Sequence, residues 1–298
     1  MKCPNCGKSL WLVQAFCPFC KVPIPPRPGL LRRVARRLRG PKCHIDSDEK
    51  QWIEERFLWL QGQFGWQPLQ RAPLEFGSPT LPSTWTPSYE AGADLLGRLC
   101  KFMLVDPSRI QLQYYAELEP PLPIPVNYER QHSGPAGLFI DEEGQDRLTI
   151  ALDAGGIDRP RDLATTICHE LAHVHLLADK RISRNAEDSE PLTDLLTVYF
   201  GCGILTANAA FQFEQWQSGN TAGWSARRQG YLSQEALGYA LACYAWCRGE
   251  RQPVWSRHLQ ESMAYYFDDA LHYLSSAQDT SLPFACGDLQ KNSSRQPS

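Results

Sequence analysis

The sequence predicts an α+β fold in which a small antiparallel sheet lies beside one buried helix, followed by a mostly helical C-terminal part. Three observations lead there. Ile110, Leu112, Tyr114, Ala116 and Leu118 alternate with more polar neighbours, the period of a strand. Leu138-Phe139-Ile140 and Leu148-Thr149-Ile150-Ala151-Leu152 flank Glu143-Gly144 as the arms of a hairpin. From Arg161 to Ser275 the apolar spacing turns helical. The chain has 298 residues, 43% hydrophobic and 21% charged, enough for one main core with appendages or for two domains. A formal charge of −3 argues against capture of the whole molecule by nucleic acid or a membrane.

Residues 1–22 hold Cys3-x-x-Cys6 and Cys17-x-x-Cys20. Each C-x-x-C places two thiolates at one tight turn, and two such turns complete a closed tetrahedral site. The segment resembles the zinc-ribbon family, which implies a structural zinc on Cys3, Cys6, Cys17 and Cys20. A unit this small has too little apolar core, so metal binding would supply its folding energy. The knuckle starts directly after Met1-Lys2, with no secretory leader pattern before it, and no uncharged apolar run approaches the roughly 18 residues of a membrane span. A cytoplasmic location is therefore expected, with the 11 cysteines either binding metal or buried as thiols.

Residues 23–45 form a linker. Val22 to Pro28 is proline-rich and stiff, and Leu30 to Lys42 carries Arg32, Arg33, Arg36, Arg37, Arg39 and Lys42 among apolar residues. That stretch reads as a solvated linker helix, or as a basic amphipathic helix for a protein, nucleic acid or acidic lipid partner. Residues 46–126 make the N-terminal part of the main domain. Asp46 caps a helix through Trp52, Ile53, Phe57 and Leu60, with Glu49 completing a capping box. Prolines between Pro68 and Pro87 enforce an irregular connection before a second helix, Tyr89 to Leu104, and the strand from Ile110. Residues 127–285 hold the hairpin, the buried helix and the C-terminal helices, and residues 286–298 read as a loose tail.

The buried helix starts with Asp158 as cap and Pro160 in its first turn and runs to about Ala178. It carries His169-Glu170-Leu171-Ala172-His173. With 7 His in 298 residues, this pentad is no accident of composition. Two imidazoles four apart share a helix face and can grip one zinc ion. The glutamate between them stands at the edge of that face, where it can take a proton from a metal-bound water. Cys168 and His175 project elsewhere and read as buried packing residues, as do Cys243 and Cys247 further on. On the next helix, Ser189 to about Phe200, Glu190, Asp194, Thr197 and Gly201 form a polar stripe opposite Leu192, Leu195, Leu196 and Tyr199. A charged loop from Asp179 to Asp188 lets this helix fold back so that Glu190 faces the metal. Asp194 then accepts the N–H of a zinc-bound imidazole.

Residues 158–202 resemble the gluzincin family of zinc metallopeptidases, in which H-E-x-x-H is followed by a helix bearing E-x-x-x-D. The resemblance implies a zincin-like domain with His169, His173 and Glu190 as ligands of a catalytic zinc. It also implies Glu170 as general base and acid, Asp194 as the residue orienting His169, and a protein or peptide substrate. The chain departs from the family at Ser189, where the family has Asn, and in lacking an evident Tyr or His to polarise the substrate carbonyl. His258, His272, Tyr265 and Tyr231 are the candidates for that role. The alternative function is a catalytically inactive zinc-binding adaptor or sensor, using the ribbon and basic segment to hold a protein or nucleic acid.

Overall fold

A computed structural model describes residues 40–81, 84–115, 137–141, 147–209, 232–277 and 279–285. The four cysteines expected to form the ribbon, the proline-rich and arginine-rich linker up to residue 39, Tyr231 and the C-terminal tail lie outside them.

Helix α1, Ser47–Phe64, begins where expected. The Asp46 carboxylate accepts from the backbone N–H of Asp48 and Glu49, at 3.0 and 2.8 Å, satisfying donors the first turn leaves open. Gly65, at φ 65°, ends the helix in a conformation that a side chain would resist. Ile53, Phe57 and Leu60, spaced by four and three, form its buried stripe. Helix α2, Tyr89–Met103, is capped by Ser88 and inserts Leu95, Leu99, Cys100 and Met103 into the same core.

Strands β1 (Ile110–Tyr115), β2 (Gly137–Ile140) and β3 (Leu148–Asp153) form a three-stranded sheet of order β1-β3-β2. The hairpin expectation holds for β2 and β3, which pair antiparallel with Phe139 opposite Ile150. The expectation of an antiparallel sheet does not hold for β1. It runs parallel to β3, with Leu112 opposite Ile150, so the sheet is mixed. Alternation reports which side chains face inward, and it is blind to strand direction. The 32 residues between Tyr115 and Leu148 suffice for the crossover a parallel pair needs.

Helix α3, Pro160–His173, lies against β2 and β3 and packs on α2. Its N-cap is Arg159 and not Asp158, and no side chain caps it. Pro160 opens the helix, where its preset φ suits the first turn, and Asp158 approaches the Arg159 guanidinium instead of the helix end. The helix reaches Ala178, as expected, but Val174–Ala178 widens to a π-helical turn marked by Asp179 N–H bonding to the Val174 carbonyl at 3.0 Å. Helix α4, Ser189–Tyr199, folds back against α3, and a helical turn at 203–209 follows. Helices α5, Gln234–Cys247, and α6, Glu261–Ala277, pack on each other, and α5 is buried from Ala236 to Cys247. Tyr239, Tyr244, Trp255 and Phe267 therefore belong to the core, as do Cys243 and Cys247. Among the described residues no helix is long and apolar enough to cross a membrane.

Candidate metal centre

α3 and α4 are joined by a loop whose charges are put to use. Asp179 accepts from Arg109 at 2.8 Å and from Arg181 at 2.6 Å. Asp188 accepts from the Trp52 indole at 3.0 Å and pairs with Arg56, both on α1. The turn is thus fastened at both ends, which sets α4 across α3 and brings their polar stripes together.

Where they meet, His169, His173 and Glu190 each offer a donor atom, and these atoms all lie within 4.8 Å of one another. Glu190 spans the two rings: Oε2 is 3.2 Å from His169 Nε2, and Oε1 is 3.6 Å from His173 Nε2. The far nitrogen of each ring is also held. Asp194 Oδ1 lies 3.2 Å from His169 Nδ1, and its Oδ2 accepts from Leu232 N–H at 3.2 Å. Thr193 Oγ1 lies 3.4 Å from His173 Nδ1 and donates to the Ser189 carbonyl at 2.7 Å. Having donated its proton, that hydroxyl is left to accept from the imidazole, which puts the His173 proton on Nδ1. Both rings then direct Nε2 at the position that Glu190 occupies.

Thr193 was not among the residues singled out from the sequence. Its signal was available: at 100° per residue it stands roughly 60° from Glu190 on the helical wheel, beside the stripe.

Glu170 is buried, at 6% exposure, on the sheet side of α3. Its carboxylate rests against β2, close to Gly137 and facing the Phe139 N–H. Burial pushes its pKa up, while the positive charge of His169 and His173 pulls the other way. The Phe139 ring stacks on His173, with centroids 6.2 Å apart at 20°. Burial disfavours a charged His169, yet the Asp194 and Glu190 carboxylates outweigh it and hold its pKa at about 10. Burial likewise raises Glu190, but the His169 hydrogen bond and the proximity of both imidazoles bring it down to about 2. Tyr115, at the end of β1, is pushed up to about 12 by burial and by the charges of Asp153 and Glu170.

The remaining expectations fall out as follows. His175 points away and donates Nε2–H to the Met103 carbonyl at 2.7 Å between the rings of Phe64 and Phe200. Cys168 is fully buried beside Cys202. Tyr199 donates to the Gly65 carbonyl, on the opposite side of α4. Of the carbonyl-polarising candidates, His258 pairs with Glu75 at 3.2 Å and Tyr265 packs edge-on against His44. The His272 ring keeps its Nδ1 buried. The structure joins none of these three to the cluster by a described contact.

Searches for kin return nothing: no family model, no curated protein and no solved structure matches the chain. The functional reading therefore rests on the chemistry of the site.

The donor set fits a zinc ion. Two neutral imidazoles and one carboxylate are ordinary zinc ligands, and three protein ligands leave a coordination position for water or substrate. Gathering two imidazoles and the carboxylates of Glu170, Glu190 and Asp194 in a largely buried site concentrates negative charge, and a divalent cation would offset most of it.

Proposed function

We propose that the chain is a zinc-dependent peptidase of gluzincin type, acting on a protein or peptide in the cytoplasm. A second, structural zinc would sit on Cys3, Cys6, Cys17 and Cys20, and the ribbon with its arginine-rich segment would engage a protein or nucleic acid partner. One observation carries the proposal. Both imidazoles present Nε2 to the same carboxylate while their Nδ1 atoms are held by Asp194 and Thr193. Core histidines have no need of such convergence; ligands of one ion do.

His169, His173 and Glu190 would hold the zinc, which when bound supplies the Lewis acidity that activates water and polarises a carbonyl. The chain's own residues do the rest. Asp194 and Thr193 fix the ring orientations. Glu170, buried and beside the cluster, accepts a proton from the attacking water and delivers it to the departing amine. Its raised pKa suits a group that must both take and give a proton near neutrality.

The test compares wild type with Glu170→Gln. The variant is expected to retain the metal bound by His169, His173 and Glu190 and to lose hydrolysis. The readout is the set of new protein termini in cells that appear with wild type and vanish with the variant. Equal cleavage by both would refute Glu170 as the proton carrier. A protein that binds zinc at both sites but no small hydroxamate would be the inactive adaptor instead.

A further inference from the structure

Glu170 lies against strand β2, and the space between them leaves no room for a side chain at Gly137. A Cβ built on Gly137 would lie 2.4 Å from Thr166 Cγ2, 3.2 Å from Glu170 Oε1 and 3.4 Å from Glu170 Cγ. Gly137 is not in the left-handed region, so glycine is required here by space and not by backbone conformation. Two residues on, Phe139 presents its N–H to the Glu170 carboxylate and its ring to His173.

We propose that β2 positions the general base: the bare face of Gly137 and the N–H of Phe139 together dock the Glu170 carboxylate on the strand, making both positioning residues of the site. The role assigned to Glu170 under the peptidase reading is taken over here. A glutamate side chain has three rotatable bonds, and a single attachment to its helix leaves the carboxylate free to swing. One N–H bond pins one oxygen and leaves lone pairs on the other for proton transfer. Phe139 touches Glu170 and His173 at once, so any displacement of the strand moves the proton carrier relative to the metal ligands.

The experiment follows the Phe139 amide proton by NMR in the full-length, ¹⁵N-labelled protein. A carboxylate acceptor shifts such a proton downfield and slows its exchange with solvent. Glu170→Ala is expected to move it upfield and speed its exchange about tenfold or more, the effect of losing one charge-assisted hydrogen bond. The Ile150 amide, on the opposing strand, should stay in place. Gly137→Ala combined with Thr166→Ser, which removes the methyl nearest the new Cβ, should shift the Phe139 amide toward its Glu170→Ala position. Its melting temperature should remain that of Thr166→Ser alone. If the double variant does not fold, the Glu170→Ala comparison decides by itself. A Phe139 amide indifferent to Glu170→Ala overturns the proposal, whatever the protein binds or cleaves. Failure of zinc binding or hydrolysis with the Phe139 response intact overturns the peptidase reading and not the docking.

Discussion

Replacing Asp194 with asparagine separates two jobs that one carboxylate performs. Asp194 is buried and serves two donors, His169 Nδ1–H and Leu232 N–H, each at 3.2 Å. Asparagine has one oxygen, so one of the donors will face an amide NH₂. An unsatisfied buried donor costs about 1–3 kcal/mol, and that is the expected loss in folding free energy of the metal-free protein. The loss should be complete below the ordinary imidazole pKa of 6.5. A raised folded-state pKa stabilises below the unfolded value, and the benefit disappears as pH rises through about 10. Metal binding should respond differently. With its pKa near 10, His169 holds a proton that zinc has to displace, so apparent affinity should climb roughly tenfold per pH unit below that value. Losing an orienting partner typically weakens metal binding by about 10–100-fold. Losing the Asp194 charge also loosens the competing proton, which offsets part of that at neutral pH. The deficit of Asp194→Asn should therefore be larger at pH 9 than at pH 7. Zinc competition against a chelator of known affinity at both pH values, with urea unfolding at pH 6, measures all three quantities. An equal deficit at the two pH values refutes the proton-competition argument, and unchanged unfolding refutes the two-donor argument.

Two further outcomes test the scaffold. Glu54, buried at 3% exposure, accepts from the Tyr239 hydroxyl at 2.6 Å and from Ser281 N–H and hydroxyl at 2.8 and 2.9 Å, with Lys50 Nζ at 3.4 Å. Burial alone would raise its pKa, but these donors hold it below the usual carboxylate value. Its stabilisation is thus present above pH 4.5 and lost as pH falls further. Glu54→Gln should cost about 3 kcal/mol near neutrality by chemical denaturation, with the gap from wild type closing in acid. The Tyr114 hydroxyl is buried without a hydrogen-bond partner among the described residues, and a Cβ on Gly92 would sit 1.9 Å from it. Tyr114→Phe should leave thermal stability unchanged or raise it by up to about 1 kcal/mol. Gly92→Ala should destabilise wild type by about 2 kcal/mol and the Tyr114→Phe protein by clearly less; equal penalties would refute the contact.

Much of the His169, His173 and Glu190 cluster was legible in the sequence because part of its geometry is local. Residues four apart on a helix stand over one another, so His169 and His173 were placed together by spacing, as were Glu190 and Asp194. Amphipathic patterning also located α1 through α4, while the C-terminal stretch was legible only as helical; the same wheel arithmetic marked His175 and Cys168 as pointing away from the two imidazoles, and Cys243 and Cys247 fell in an apolar segment. The expected cap at Asp158 failed because the helix starts one residue later, with Arg159 as its N-cap and Asp158 turned toward the Arg159 guanidinium. The π turn after His173 could not be read at all. It coincides with contacts from distant parts of the chain, His175 to Met103 and Asp179 to Arg109.

What the sequence determined by itself was which side chains share a face, since that follows from backbone periods of 3.6 and 2. What the tertiary structure decided was partnership: that Glu190 bridges both rings, that Thr193 holds His173, that β1 runs parallel to β3, and that Phe139 N–H meets Glu170. Period tells a residue which way to face. Only the packing of elements far apart in the chain tells it what it will meet there.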